Sequence, residues 1–194
     1  DVEMGCSDTL APEGVTGRVL RIVHWSDTHN LHQDGSVPPG DVFVHSGDFT
    51  NKDDWREEGE DVPDSLRRFC DWLAGLPHQH KVVVAGNHEV GFTRASKRVR
   101  KTCRALLQGV CTYLEDSAVE IEGVWFYGSP WTSSRHMGFS CPREELRVRW
   151  AAIPDKTAVL VTHMPPLGVM DLAFQGGARS VESCEVCVCV CVCV

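Results

Sequence analysis

Four apolar runs in this chain each end in a short string of oxygen and imidazole side chains, and that repetition constrains the fold more than any other feature. Residues 19–23, 42–44, 82–85 and 158–161 read as buried strands. They lead into Asp27-Thr28-His29, Gly47-Asp48, Gly86-Asn87-His88-Glu89 and Thr162-His163. Open α/β sheets carry their sites on loops at strand ends. Carboxylate, imidazole and amide groups gathered at one such edge suit a hard-to-borderline metal ion.

The segments between these runs read as helices and loops. Residues 63–76 place Leu66, Phe69, Leu73 and Leu76 on one helical stripe, with Asp64 near the start, where it favours the dipole. Residues 93–107 form a second expected helix rich in Arg and Lys, taken as a solvated face rather than a phosphate-attracting one. Residues 53–64 are acidic and read as a loop. Residues 118–121 and 124–126, joined at Glu122-Gly123, read as a β-hairpin. Residues 142–150 read as a third helix with Pro142 in its first turn. Strands alternating with helices imply an α/β architecture layered around a sheet.

A chain of 194 residues can bury a real core. Its formal charge of −8 argues against nucleic acid as the main partner. No apolar stretch approaches the ~20 residues of a membrane helix, and scattered cysteines that read as free thiols make a cytoplasmic setting the expectation. The first residue is Asp1 rather than Met, which leaves the true start and any upstream signal open. Cys6, Cys70, Cys103, Cys111 and Cys141 lack C-x-x-C spacing and read as free thiols. Oligomeric state is not legible.

The C-terminus is of another kind. Cys184 precedes a strict Cys-Val alternation from Cys187 to Val194. Repeated TG dinucleotides encode Cys-Val, so a translated microsatellite is the simplest account, with a C-x-C thiolate metal site as the alternative. As protein, such a segment is uncharged and β-prone. The expected organisation is an N-terminal extension (1–17), a main domain incomplete at its C-terminus (18–180) and a low-complexity tail without function (181–194).

Asp27 and His29, two residues apart on a loop, can face one ion. Gly47 lets the backbone turn tightly beside Asp48, whose carboxylate can bridge two cations. Asn87 offers a neutral amide oxygen, and His163 supplies a ligand from a later strand. Two ions sharing Asp48 would generate a bridging hydroxide near neutral pH. His88, beside a ligand, can reach the substrate and donate a proton to the leaving oxygen. These parts fit hydrolysis of a phosphate ester. His24, His32, His45, His78 and His80 are expected to serve packing or solvent, as are Trp25 and Trp131. Arg135 and His136 lie on a loop that could contact phosphate or be plain surface.

Taken together, these strings resemble the calcineurin-like metallophosphoesterase superfamily. Ser26-Asp27-Thr28-His29, Gly47-Asp48-Phe49-Thr50, Ala85-Gly86-Asn87-His88-Glu89, Gly128-Ser129-Pro130-Trp131 and Thr162-His163-x-Pro165-Pro166-Leu167-Gly168 resemble its metallophosphoesterase-domain (MPPED, 239AB) branch. The likeness runs from about Arg18 to Arg179. It implies a four-layer α/β/β/α sandwich and a two-metal centre of manganese, iron or zinc. Asp27 and His29 would bind the first ion, Asp48 bridge, Asn87 and His163 bind the second, and His88 act as the catalytic histidine. It also implies a small-molecule phosphodiester as substrate, a cyclic nucleotide included.

One departure stands out. The family carries a Gly-His-x-His string after the strand bearing His163, and this chain has no histidine beyond that position. Each ion is then one ligand short. The expectation is a C-terminally truncated copy lacking its last strands, with an open sheet edge. The alternative function is a catalytically impaired fragment or a non-catalytic interaction protein.

Overall fold

The computed structural model describes residues 19–55, 61–134 and 136–165, together with the backbone of three further strands at 173–175, 178–180 and 189–192. The N-terminal extension, Arg135, part of the acidic loop and Pro166–Gly168 of the resemblance lie outside the described residues.

The first sheet is all parallel, in the order β1 (Ile22–Trp25), β2 (Val42–His45), β3 (His80–Val83), β4 (Thr112–Tyr113). Parallel strands covered on both faces read as near-continuous apolar runs, which is why β2 is buried at every position. The second sheet runs β10 (Cys189–Val192), β7 (Val159–Thr162), β6 (Val124–Ser129), β5 (Ser117–Ile121). Here β6 and β7 are parallel, while the other two pairings are antiparallel. A two-stranded ribbon, β8 (Ala173–Gln175) with β9 (Ala178–Ser180), stands apart.

Two cores define the layers. Phe43 and Val83 point outward from the first sheet and meet Leu66, Phe69 and Leu73 of α1 (Asp64–Gly75) and Val99, Cys103 and Leu107 of the later helix α3 (Lys97–Gln108). Val42, Val44, Val82 and Val84 point the other way, onto Phe126, Val159 and Val161. The period-2 alternation of the strands thus feeds a helix–sheet core and a sheet–sheet core at once. The result is mixed α/β. A last helix, α4 (Arg143–Ala151), follows Pro142 as its N-cap and is tied by Arg149 to Asp116 at 2.8 Å.

The hairpin turns as expected, with Glu122 and Gly123 both at positive φ, the requirement of a tight type I′ connection. Two expectations change. The basic helix is not continuous from 93 to 107: α2 (Gly91–Arg94) ends at Ala95, and Ser96 caps α3 by accepting from the Val99 N–H at 3.3 Å. Of its cations, Arg104 pairs with Glu115 at 2.7 Å and Arg98 with Asp61 at 3.6 Å. The expected open edge of β7 is also corrected, because Cys189–Val192 pairs along it from Thr162 to Val159. A β-prone segment satisfies the free N–H and C=O groups of an edge strand wherever it can reach them. Among the described residues, no helix is long and apolar enough to cross a membrane.

Candidate metal centre

Three loops leave the ends of β1, β2 and β3 side by side, since these strands are parallel neighbours. The first two are zipped together by backbone hydrogen bonds: Asp27 N–H donates to Gly47 O at 2.9 Å, His29 N–H to Asp48 O at 3.0 Å, and Asn30 N–H to Phe49 O at 3.2 Å. This ladder is made by residues in unusual backbone states. Asp27, His29, Asn30 and Asp48 all have positive φ, between 41° and 69°. Such strain, concentrated on four neighbouring non-glycine residues, is typical of functional loops.

Glycine is needed where the second and third loops touch. A Cβ on Gly86 would lie 2.2 Å from Asp48 Oδ1 and 2.5 Å from Asp48 N. A Cβ on Gly47 would lie 2.6 Å from both Gly86 N and His163 Nδ1. The Gly47-Asp48 and Gly86-Asn87 strings therefore encode a contact of backbone on backbone, beyond the ligands themselves.

Asp48 sits at the centre, 1% exposed. Its Oδ1 lies 3.4 Å from His163 Nε2, while its Oδ2 lies 3.8 Å from both His29 Nε2 and His88 Nε2. One carboxylate thus looks both ways. Two sets of ligand atoms, each mutually within 4.8 Å, share it: His29, Asp48 and His88 on one side, and Asp27, Asp48 and His163 on the other. Asn87 joins the second set, its Oδ1 being 2.8 Å from His163 Nε2. All six sequence-derived site residues are therefore gathered here, though the geometry groups Asp27 with His163 rather than with His29.

The surroundings suit a cation. Asp27 Oδ1 and His29 Nδ1 are buried without a hydrogen-bond partner among the described residues, which is costly for polar atoms with no ligand. Burial raises the Asp27 carboxyl above its ordinary value. For Asp48 burial also opposes charge, but the His163 ring and the His88 N–H outweigh it and hold the carboxyl low. His163 is pushed up to about 9: burial resists the charge, and Asp48, Asp27 and Glu89 overcome it. A proton on this ring does what a bound cation would do, balancing clustered carboxylates. His163 Nδ1 donates to the Ser46 carbonyl at 2.9 Å, leaving Nε2 to face the ligand set. Metal-binding histidines are commonly oriented in this way. The oxygen and imidazole donors fit divalent cations such as manganese, iron or zinc.

His88 is different. The Lys52 N–H donates to its Nδ1 at 3.2 Å, so the neutral ring carries its proton on Nε2, the atom facing Asp48. A protonated nitrogen donates; it does not ligate.

The other histidines fall where packing was expected. His45 is fully buried with its Nε2 on Thr28 Oγ1 at 3.1 Å, and His24 bonds Ser46 Oγ at 2.7 Å. His32 packs on Phe69 and Trp72, and His78 bonds the Pro38 carbonyl. Trp25 stacks on Trp72, and Trp131 lies under the Arg149 guanidinium at 3.5 Å. Cys70, Cys103, Cys111 and Cys141 are free thiols.

Glu89 had no role assigned from sequence. It is fully buried and accepts hydrogen bonds from three backbone N–H groups of these loops. The signal was present, since a carboxylate directly after Gly-Asn-His on a buried strand's exit needs partners.

The chain is similar in sequence to known proteins. The chain is 40% identical over 162 residues to the UPF0046 protein K07C11.7 of Caenorhabditis elegans, covering 78% of this chain and 53% of that protein. It is 35% identical over 185 residues to metallophosphoesterase domain-containing protein 1 of Homo sapiens, covering 84% and 53% respectively. The chain thus spans about half the length of these curated relatives. Residues 6–186 match the family described as calcineurin-like phosphoesterase, a span that includes every loop of the centre. On this match and these identities, the chain belongs to the calcineurin-like phosphoesterase family.

Proposed function

We propose that the chain is a metal-dependent phosphoesterase that hydrolyses a small phosphodiester, cyclic nucleotides being one candidate class. The observation that carries this reading is Asp48, with one oxygen toward His163 and the other toward His29 and His88. Asp27, His29, Asp48, Asn87 and His163 would hold two divalent cations. When bound, such ions supply Lewis acidity and a nucleophilic water at neutral pH. His88 donates from Nε2 to the oxygen that gains charge as the P–O bond breaks. Its ring is held for this by the Lys52 N–H and by edge-on contact with His29, the centroids 4.6 Å apart.

Hydrolysis of bis(p-nitrophenyl) phosphate with Mn²⁺ tests the proposal. Asp48→Asn should lower the rate by more than about 100-fold and weaken Mn²⁺ binding. His88→Ala should cost roughly 10²–10⁴-fold in rate while Mn²⁺ binding persists. A rate indifferent to both substitutions refutes it.

One observation favours a second reading. Among the described residues, with His88 a hydrogen donor, the set on its side of Asp48 gathers only His29 and Asp48. A chain of this kind keeps the fold, binds Mn²⁺ weakly and does not turn over. Binding of two Mn²⁺ per chain together with measurable hydrolysis rejects this alternative.

A further inference from the structure

We propose that Glu89 is a positioning residue whose buried carboxylate sets the spacing between the Gly47-Asp48 and Gly86-Asn87 loops, and so fixes where Asp48 presents its two oxygens. This rests on the reading of those loops as the metal-binding edge.

The hydrogen bonds are specific. Glu89 Oε2 accepts from Gly86 N–H at 2.6 Å and Asp48 N–H at 2.9 Å. Oε1 accepts from the Thr50 N–H at 2.9 Å and the Thr50 hydroxyl at 2.8 Å. That hydroxyl in turn accepts from Trp55 Nε1 at 3.1 Å, which directs its hydrogen toward Glu89. Every contact to the carboxylate is therefore an acceptance, two at each oxygen, in a site closed to water.

The tie is also reciprocal. The Asp48 N–H donates to Glu89, and the His88 N–H donates to Asp48 Oδ1 at 2.8 Å. Each loop gives a backbone N–H to the carboxylate of the other. With no Cβ on Gly47 or Gly86, side-chain bulk does not set the distance between the loops; the two carboxylates do. Glutamine, nearly the same size, cannot replace Glu89. Its NH₂ would face either Gly86 and Asp48 or Thr50, and in both orientations a backbone donor loses its acceptor.

Amide hydrogen exchange by NMR on the full metal-free chain, combined with calorimetric titration of Mn²⁺, tests the role. In Glu89→Gln, exchange at the Gly86, Asp48 and Thr50 amides should quicken by at least about tenfold, while Val44 and Val82 stay within about twofold. Mn²⁺ affinity should fall roughly 10–100-fold. Glu89→Asp keeps the charge but is one methylene shorter, and should recover part of both. Unchanged protection at the three amides overturns the proposal. So does an equal rise across β2 and β3, which would mark a general loss of stability. If the unsubstituted chain binds no Mn²⁺, the metal-binding reading fails, and the exchange comparison still decides the role of Glu89. If Glu89→Gln does not fold, Glu89→Asp carries the same comparison, with unchanged exchange again overturning it.

Discussion

The all-parallel sheet β1–β4 and the mixed sheet β5–β7 with β10 contribute unequally to the edge they share. The first supplies five of the six site residues on three neighbouring loops, held by local backbone bonds and by Glu89. The second supplies His163 alone, joined across through Ser46 O and Asn87 Oδ1. Most of the centre is thus assembled by strand adjacency within one sheet. Its completion depends on how two sheets pack, through the Val42, Val44 and Val82 face against Phe126, Val159 and Val161. The local part should resist changes in that core, and the His163 contact should not.

The largest expected effect breaks this contrast directly. Phe126→Ala, at a fully buried inter-sheet position, should cost about 3–5 kcal/mol in denaturant unfolding. In NMR spectra of the folded variant, the His163 ring should shift while the Asp27–Gly47 amide signals hold. Movement of both equally would mean the sheets are not separable contributors.

The next effect separates the sheets by pH. Burial lowers His24 to about 4 and His45 to about 3, both in the first sheet. The folded chain then binds fewer protons than the unfolded one below the ordinary value of 6.5. Stability should fall as pH drops through 6.5, the loss being complete only below about 3. Glu89, raised to about 7 by burial and by Asp48, opposes this between 4.5 and 7, with one proton against two. His163 of the second sheet has the opposite sign. Raised to about 9, it contributes stability present in full below 6.5 and lost as pH rises through 9. Unfolding free energies of the metal-free chain should therefore peak near neutrality, and a profile flat from pH 4 to 9 would reject these buried states.

The smallest effect sharpens the local half. Gly86→Ala places a methyl 2.2 Å from Asp48 Oδ1, so the loops must part. A cost of about 1–3 kcal/mol is expected, together with weaker Mn²⁺ binding seen by calorimetry. Full retention of affinity would show that the loop spacing tolerates change.

Much of this was legible in advance because it is local. Strand exits, the Glu122-Gly123 turn and α1 follow from side-chain period and from residues that favour positive φ. The break at Ala95-Ser96 was less visible, since the Arg and Lys pattern continues across it and only the Ser96 cap marks the new start. The partner of β7 was not visible either, because a Cys-Val repeat says what a strand is made of and nothing about which edge it meets.

The sequence by itself determined which side chains could bind a cation, since Asp, His and Asn at strand exits have that chemistry wherever they lie. Only the tertiary structure decided that Asp48 faces both sets, that Asp27 stands with His163, that His88 offers a hydrogen rather than a lone pair, and that Glu89 ties the loops. The reason is physical. Ligand type is a property of single residues, whereas sharing, tautomer and spacing depend on hydrogen bonds between segments as far apart as Ser46 and His163, 117 residues along the chain.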